Sequence, residues 1–188
     1  MVLVLSGCAT SRMIDSEVQS YAGSTSAVTP ANYRFERLPS QKDDALQTQI
    51  ESHAEKALAA VGLTLSESAP RFTIQVAIRV EQYSRNPYQT SRQLGYMGSN
   101  IGMPWSTNPF YSPLVNMEPP WYKHVVHVVL RDAANGQVAF ESTAAHDGPW
   151  SDTLNLLPAL LEATLRDYPA TGNRKVVIEL PTPGRSDK

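Results

Sequence analysis

Along residues 71–81, RFTIQVAIRVE, every second position is apolar: Phe72, Ile74, Val76, Ile78 and Val80 point one way, and Thr73, Gln75, Ala77 and Arg79 the other. Side chains alternate across a strand, so this is a strand with one buried face. A shorter alternation, Tyr33, Phe35 and Arg37 in YRFERLP, predicts a strand over 33–39 that Pro39 ends. Between the two, Leu46, Ile50, Ala54, Ala57, Leu58 and Val61 recur at helical spacing over residues 45–63, behind Asp43 and Asp44 and with Gly62 as the stop. HVVHVVLR (124–131) and QVAFEST (137–143) flank DAANG, where Asn135 and Gly136 tolerate positive φ, and predict a hairpin. Ser151 and Asp152 can cap a second helix with Leu157, Leu160, Leu161, Leu165 and Tyr168 on its apolar side. Pro158 places the start of its regular part near itself, because an interior proline costs about 3 kcal/mol. KVVIELP (175–181) alternates again, and the tail 182–188 has nothing to bury. The order β-α-β-β-β-α-β, with one-sided strands and one-sided helices, predicts a two-layer α+β sandwich. It has a mixed five-stranded sheet, two helices on one face and a long loop between the second and third strands.

Composition narrows the function. The chain has 188 residues, 41% of them hydrophobic, enough for one domain, read here as residues 33–181. A net charge of −2 with both signs interspersed gives no electrostatic footprint for nucleic acid or for anionic lipid. No run approaches the roughly 18 apolar residues of a spanning helix. The single cysteine, Cys8, excludes an internal disulfide and a cysteine-rich zinc site.

Cys8 follows Leu5, Ser6 and Gly7, which resembles the bacterial lipobox: a large aliphatic, two small residues, then the cysteine that is acylated after cleavage. The apolar stretch before it is short and lacks a basic residue, so Met1 to Gly7 reads as the stub of a longer signal peptide. Palmitate-type acylation at Cys8 would anchor the protein, and Ala9 after the cysteine points by the same resemblance to the outer membrane, facing the periplasm. Residues 9–32, rich in Ser, Thr, Ala and Gly, read as a flexible tether with an end-to-end distance of roughly 25 to 30 Å.

Several segments together resemble the bacterial lipoproteins of domain-of-unknown-function family 4136. They are the lipobox, FERLP before the first helix, SAPRFTIQVAIRV entering the second strand, VVLRDAANGQVAFES as hairpin, and LRDYP at the end of the last helix. Arg71 and Phe140 depart from the family's usual acidic residue and Trp. The resemblance implies a location and a fold, and it supplies no active site.

Candidate chemistry is sparse. His124 and His127 lie three apart, but valines around them indicate a strand, where odd spacing puts the rings on opposite faces, so a joint metal site is not expected. His146 and Asp147 read as a solvated turn, His53 as a surface helical residue, and Asp43 and Asp44 as helix-capping carboxylates. No metal, cofactor or catalytic residue is expected, and no hydrolase or phosphate-binding motif is present. The feature that stands out is residues 84–120, a loop far longer than the usual limit of about 15 residues. It holds Tyr88, Tyr96, Met97, Met103, Trp105, Phe110 and Tyr111 with few charges and is followed by Trp121 and Tyr122. Those side chains suit a partner-contacting surface, and suit slightly better folding back over the helix-free face of the sheet or one of its edges; the two are compatible if only the loop tip, near Gly95 to Trp105, is exposed. The expected function is a non-catalytic, membrane-anchored periplasmic interaction or envelope-assembly module. The alternatives are a carrier of a small apolar ligand or lipid and, more remotely, an envelope hydrolase.

Overall fold

The 71–81 alternation forms an inner strand of a seven-stranded mixed sheet in a computed structural model that describes residues 11–23, 29–84 and 119–181. In chain order the strands are β1 (Ser11–Ala22), β2 (Ala31–Phe35), β3 (Leu63–Leu65), β4 (Phe72–Tyr83), β5 (Trp121–Asp132), β6 (Val138–Gly148) and β7 (Gly172–Pro181). The helices are α1 (Ala45–Ala60) and α2 (Thr153–Leu165). Strands lie in the order β3-β2-β4-β5-β6-β1-β7. β2 runs parallel to β3 and β4, and the other pairings are antiparallel.

Both helices cover the same face. α1 packs on β3 and β4, α2 on β1, β5, β6 and β7, and the two helices touch. Ile14, Val18, Ile74, Val76, Val126, Val128, Leu130 and Phe140 of the sheet meet Ile50, Ala54 and Leu58 of α1 and Leu156, Leu157, Leu160 and Leu161 of α2 in one core. The Tyr168 ring closes one end of it, edge-on to Phe140 at 4.9 Å. The α+β class and the helices on one face thus follow the sequence pattern, as does the hairpin, whose Gly136 takes φ +71°.

The strand count differs from the expected five, and the largest correction is β1. Residues 11–22 lie within the segment read as a tether, yet they form a twelve-residue strand between β6 and β7 with strictly alternating burial of Ile14, Ser16, Val18 and Ser20. The domain therefore includes residues 11–22, well ahead of residue 33. Two of the four inward positions are serines, which erased the apolar alternation. Ser20 is tolerated because Arg174 Nη1 donates to its Oγ at 3.0 Å and it shares a 2.8 Å bond with Ser142, which donates to the Thr164 carbonyl at 2.9 Å.

Other boundaries move for local reasons. The strand expected over 33–39 is Ala31–Phe35, and Arg37 beyond it forks onto Glu51 of α1 at 2.8 and 2.6 Å. α1 ends at Ala60, and Leu63, read as its tail, starts β3 after Gly62 turns at φ +83°. Leu46 and Val80 are exposed although their periodicity put them on apolar faces. α2 begins at Thr153 with Pro158 inside it, so the helix does not wait for the proline. Burial of Leu156, Leu157, Leu160 and Leu161 offsets the missing N–H bond. Asp152 precedes α2 without a side-chain capping bond and pairs instead with Arg12 of β1 at 2.7 Å.

Candidate functional site

On a strand, inward positions recur every second residue, so β5 and β6 each turn one histidine into the core: His124 and His146. The two are direct cross-strand partners. Ser16 of β1 lies one residue before the Glu17–Ala145 pair and so adjoins His146 on the same face. Both rings are buried, at 0% and 2% exposure.

The first turn of α2 roofs this row. His124 Nε2 meets Thr153 Oγ1 at 3.2 Å. His146 Nδ1 donates to the Asp15 carbonyl at 2.6 Å, which fixes the tautomer and leaves Nε2 as a bare acceptor. Trp150 stacks on His146 with ring centres 6.1 Å apart, and the Arg12 guanidinium lies 5.3 Å above Trp150. Gly148 is obligatory here, since a Cβ on it would come within 2.8 Å of His146 Nε2. Burial pushes the His124 pKa down and the neighbouring His146 adds to that, with Asp152 and Asp147 opposing. Burial works against the Asp152 carboxylate, but hydrogen bonds from Arg12 and Asn155 outweigh it and hold its pKa below the ordinary value. Ser16 Oγ, His124 Nδ1, His146 Nε2 and Asp152 Oδ1 are all buried without a hydrogen-bond partner among the described residues. Solvent reaches neither imidazole, so the row is a buried polar seam under α2.

Among the described residues the opposite face carries no helix. His127 projects there, 2.9 Å from Glu141, so it and His124 occupy opposite faces as their spacing requires. Ala77, Val125 and Ala145 make its middle flat, flanked by the Arg79–Glu81 and Lys175–Asp15 ion pairs. An open depression of about 580 Å³ sits over β2 and β3, lined by Pro30, Asn32, Thr64 and Arg71, the last of which pairs with Asp132 at 3.3 Å. Among the described residues no group of three or more His, Cys, Asp or Glu side chains could hold a metal ion, and no helix is long and apolar enough to cross a membrane.

Of the residues expected to act, Cys8 and Tyr88, Tyr96, Met97, Met103, Trp105, Phe110 and Tyr111 lie outside the described residues. Trp121 is described: it opens β5, half-buried, opposite Tyr83. Asp44 caps α1, accepting from the Leu46 N–H at 2.8 Å, as its position suggested. His53 is half-exposed on α1. His146 and Asp147 are a correction: they sit in β6 and not in a solvated turn, with the ring inward and the carboxylate outward. The missed feature is the His124–His146 partnership. Both residues stand equidistant in sequence from Asn135 at the hairpin turn, so extending the hairpin beyond residue 143 would have paired them.

A family model described as Domain of unknown function (DUF4136) matches residues 14–170. No curated protein matches in sequence. Among solved structures, a PDZ domain protein from Parabacteroides distasonis is similar at 16% identity and a TM-score of 0.54, covering 91% of this chain and 39% of that one. A PelC dodecamer from Paraburkholderia phytofirmans aligns at 14% identity and a TM-score of 0.46, covering 80% and 94%. A minor lipoprotein from Acinetobacter baumannii aligns at 12% identity and 0.38, covering 72% and 87%.

Proposed function

Since the chain belongs to the DUF4136 family, whose members carry no assigned activity in that description, we propose that it is a lipid-anchored, non-catalytic module of the bacterial envelope, held at the outer membrane through Cys8 and facing the periplasm. Its work is contact with an envelope partner, and residues 84–120 with Trp121 are the contact element.

The observation that carries the non-catalytic reading is the closure of the polar row. The most elaborate cluster of titratable groups, His124 and His146 with Asp152 and Arg12, has its two imidazoles sealed under Trp150 and α2, where no substrate atom can come within the roughly 3 Å that proton transfer needs. The anchoring reading is supported by the residues Leu5 to Cys8. The depression over β2 and β3 is lined by polar groups as well as apolar ones and is open, so it gives the apolar-carrier alternative little support.

Palmitate labelling of cells making the chain behind a complete signal peptide tests the anchor. Label is expected on the wild type and lost in Cys8→Ser, with the variant moving from the membrane to the soluble periplasmic fraction. Equal labelling overturns the reading. Deleting residues 88–117 should leave the thermal midpoint nearly unchanged if the segment is a contact element. A large drop would instead make it part of the core.

A further inference from the structure

The strand registers collect one set of residues at one end of the sheet. Ser11 of β1 pairs with Pro181 of β7, Tyr122 of β5 with Gly148 of β6, and Trp121 of β5 with Tyr83 of β4. The 2.7 Å bond between Arg12 and Asp152 brings the start of α2 to the same end. The hairpin turn at Asn135 and the depression at Arg71 lie at the other.

Four of the nine exposed large hydrophobic side chains among the described residues gather at this end, interleaved with the charged Arg79, Glu81, Lys123 and Asp147. Met13 is 57% exposed, Val80 42%, Tyr83 40% and Leu154 39%, beside half-buried Trp121 and Tyr122. Tyr and Trp combine a large apolar ring with a polar handle, which suits them to the boundary between water and lipid. The chain also leaves the sheet here at Ser84 and returns here at Pro119.

Covalent geometry adds the decisive constraint. Only Ala9 and Thr10 separate Cys8 from Ser11, so three Cα steps of about 3.8 Å put the start of β1 at most about 11 Å from the acylated residue. β4 spans about 36 Å from Phe72 to Tyr83 at about 3.3 Å per residue, so the two ends of the sheet cannot be equivalent to an anchor of that reach.

From these facts we infer that the Ser11–Tyr83–Trp121 end of the sheet is a lipid-contacting surface, which seats the domain end-on against the membrane that holds its acyl chains. The inference rests on acylation of Cys8 as proposed above, and it names what that anchor makes the domain touch. Tyr83, Trp121 and Tyr122 reach the headgroup layer, Met13, Val80 and Leu154 lie against it, and the hairpin turn projects into the periplasm.

The test uses the full chain, processed and acylated, in vesicles of phosphatidylethanolamine and phosphatidylglycerol. With Cys8 blocked by its lipid, a single new thiol at Ser84→Cys or at Asn135→Cys can carry an environment-sensitive dye. Both positions are exposed, so labelling leaves the core alone. Nitroxide-bearing lipids are expected to quench the Ser84 dye several-fold more strongly than the Asn135 dye. Equal quenching at the two sites, or stronger quenching at Asn135, on protein whose mass shows the lipid on Cys8, overturns the orientation while leaving the anchor intact. A mass showing unmodified Cys8 removes the anchor, and the orientation with it.

Discussion

A single imidazole can couple the fold to acidity here. The ordinary His pKa of 6.5 holds for His124 in the unfolded chain, while burial beside His146 lowers it in the fold. Below about pH 6.5 the unfolded chain takes up a proton that the folded ring refuses, so unfolding binds protons and stability falls as pH drops through that value. Above it both states are neutral and the full stability is present. The groups facing the ring agree with this sign. His146 from β6 would repel the cation, as would the positive end of α2 at Thr153, and only Asp152 and Asp147 would favour it. Thermal midpoints should therefore decline from about pH 7.5 to 5.5, and His124→Gln should flatten that slope whatever it does to the midpoint at neutral pH. An unchanged slope in the variant would show that the ring does not carry the effect. Ser142 is the second residue of this kind. Ser142→Ala takes from Ser20 one of its two partners, leaving only Arg174, and removes the hydroxyl that donates to the Thr164 carbonyl in the core, and it should cost about 1–3 kcal/mol by urea denaturation.

Among the elements, β1 makes the sharpest claim. Ile14 is fully buried between sheet and helices, so Ile14→Ala should cost about 2–5 kcal/mol, where a tether would register nothing. Removing residues 11–22 should abolish cooperative unfolding altogether, because it opens the sheet between β6 and β7. Circular dichroism through a thermal ramp reads both outcomes. In α2, Pro158 is exposed and denies the helix one N–H. Pro158→Ala should raise stability by about 1–3 kcal/mol. The elements legible in the sequence were those with an apolar period or an explicit turn signal strong enough to outweigh their buried polar positions: β4 with Phe72, Ile74 and Val76, α1 with Ile50, Ala54 and Leu58 beside buried Gln47 and Glu51, and the hairpin with its Asn135-Gly136 turn. β1 hid because Ser16 and Ser20 replace half its inward apolar side chains, and the cost of Ser20 is met by Arg174 and Ser142, more than a hundred residues away. β3 hid because three residues carry no period. The polar row at His124 and His146 was hidden for a related reason: each histidine was legible as a strand residue, but the partnership exists only in the long hairpin register.

For the whole molecule, the place of β1 decides how the domain meets its surroundings. With the strand counted as tether, Cys8 would hold the domain at a distance of roughly 25 to 30 Å. With the strand in the sheet, the spacer shrinks to Ala9 and Thr10, and the lipid proposed on Cys8 would make domain and membrane one mechanical unit. The same strand order governs assembly. Ser11 pairs with Pro181 and Arg12 with Asp152, so the first strand is held by two of the last elements to leave the ribosome. Contacts of such sequence separation form slowly, because loop closure must be met before they stabilise anything. Refolding followed by stopped-flow fluorescence should accordingly fall in the millisecond-to-second range of non-local β topologies, well outside the microsecond range of helical bundles. During synthesis the N-terminal segment has no strand to pair with until the C-terminal segment exists. A chain built in this order completes its sheet only once β6 and β7 have been made, because β1 is held between them.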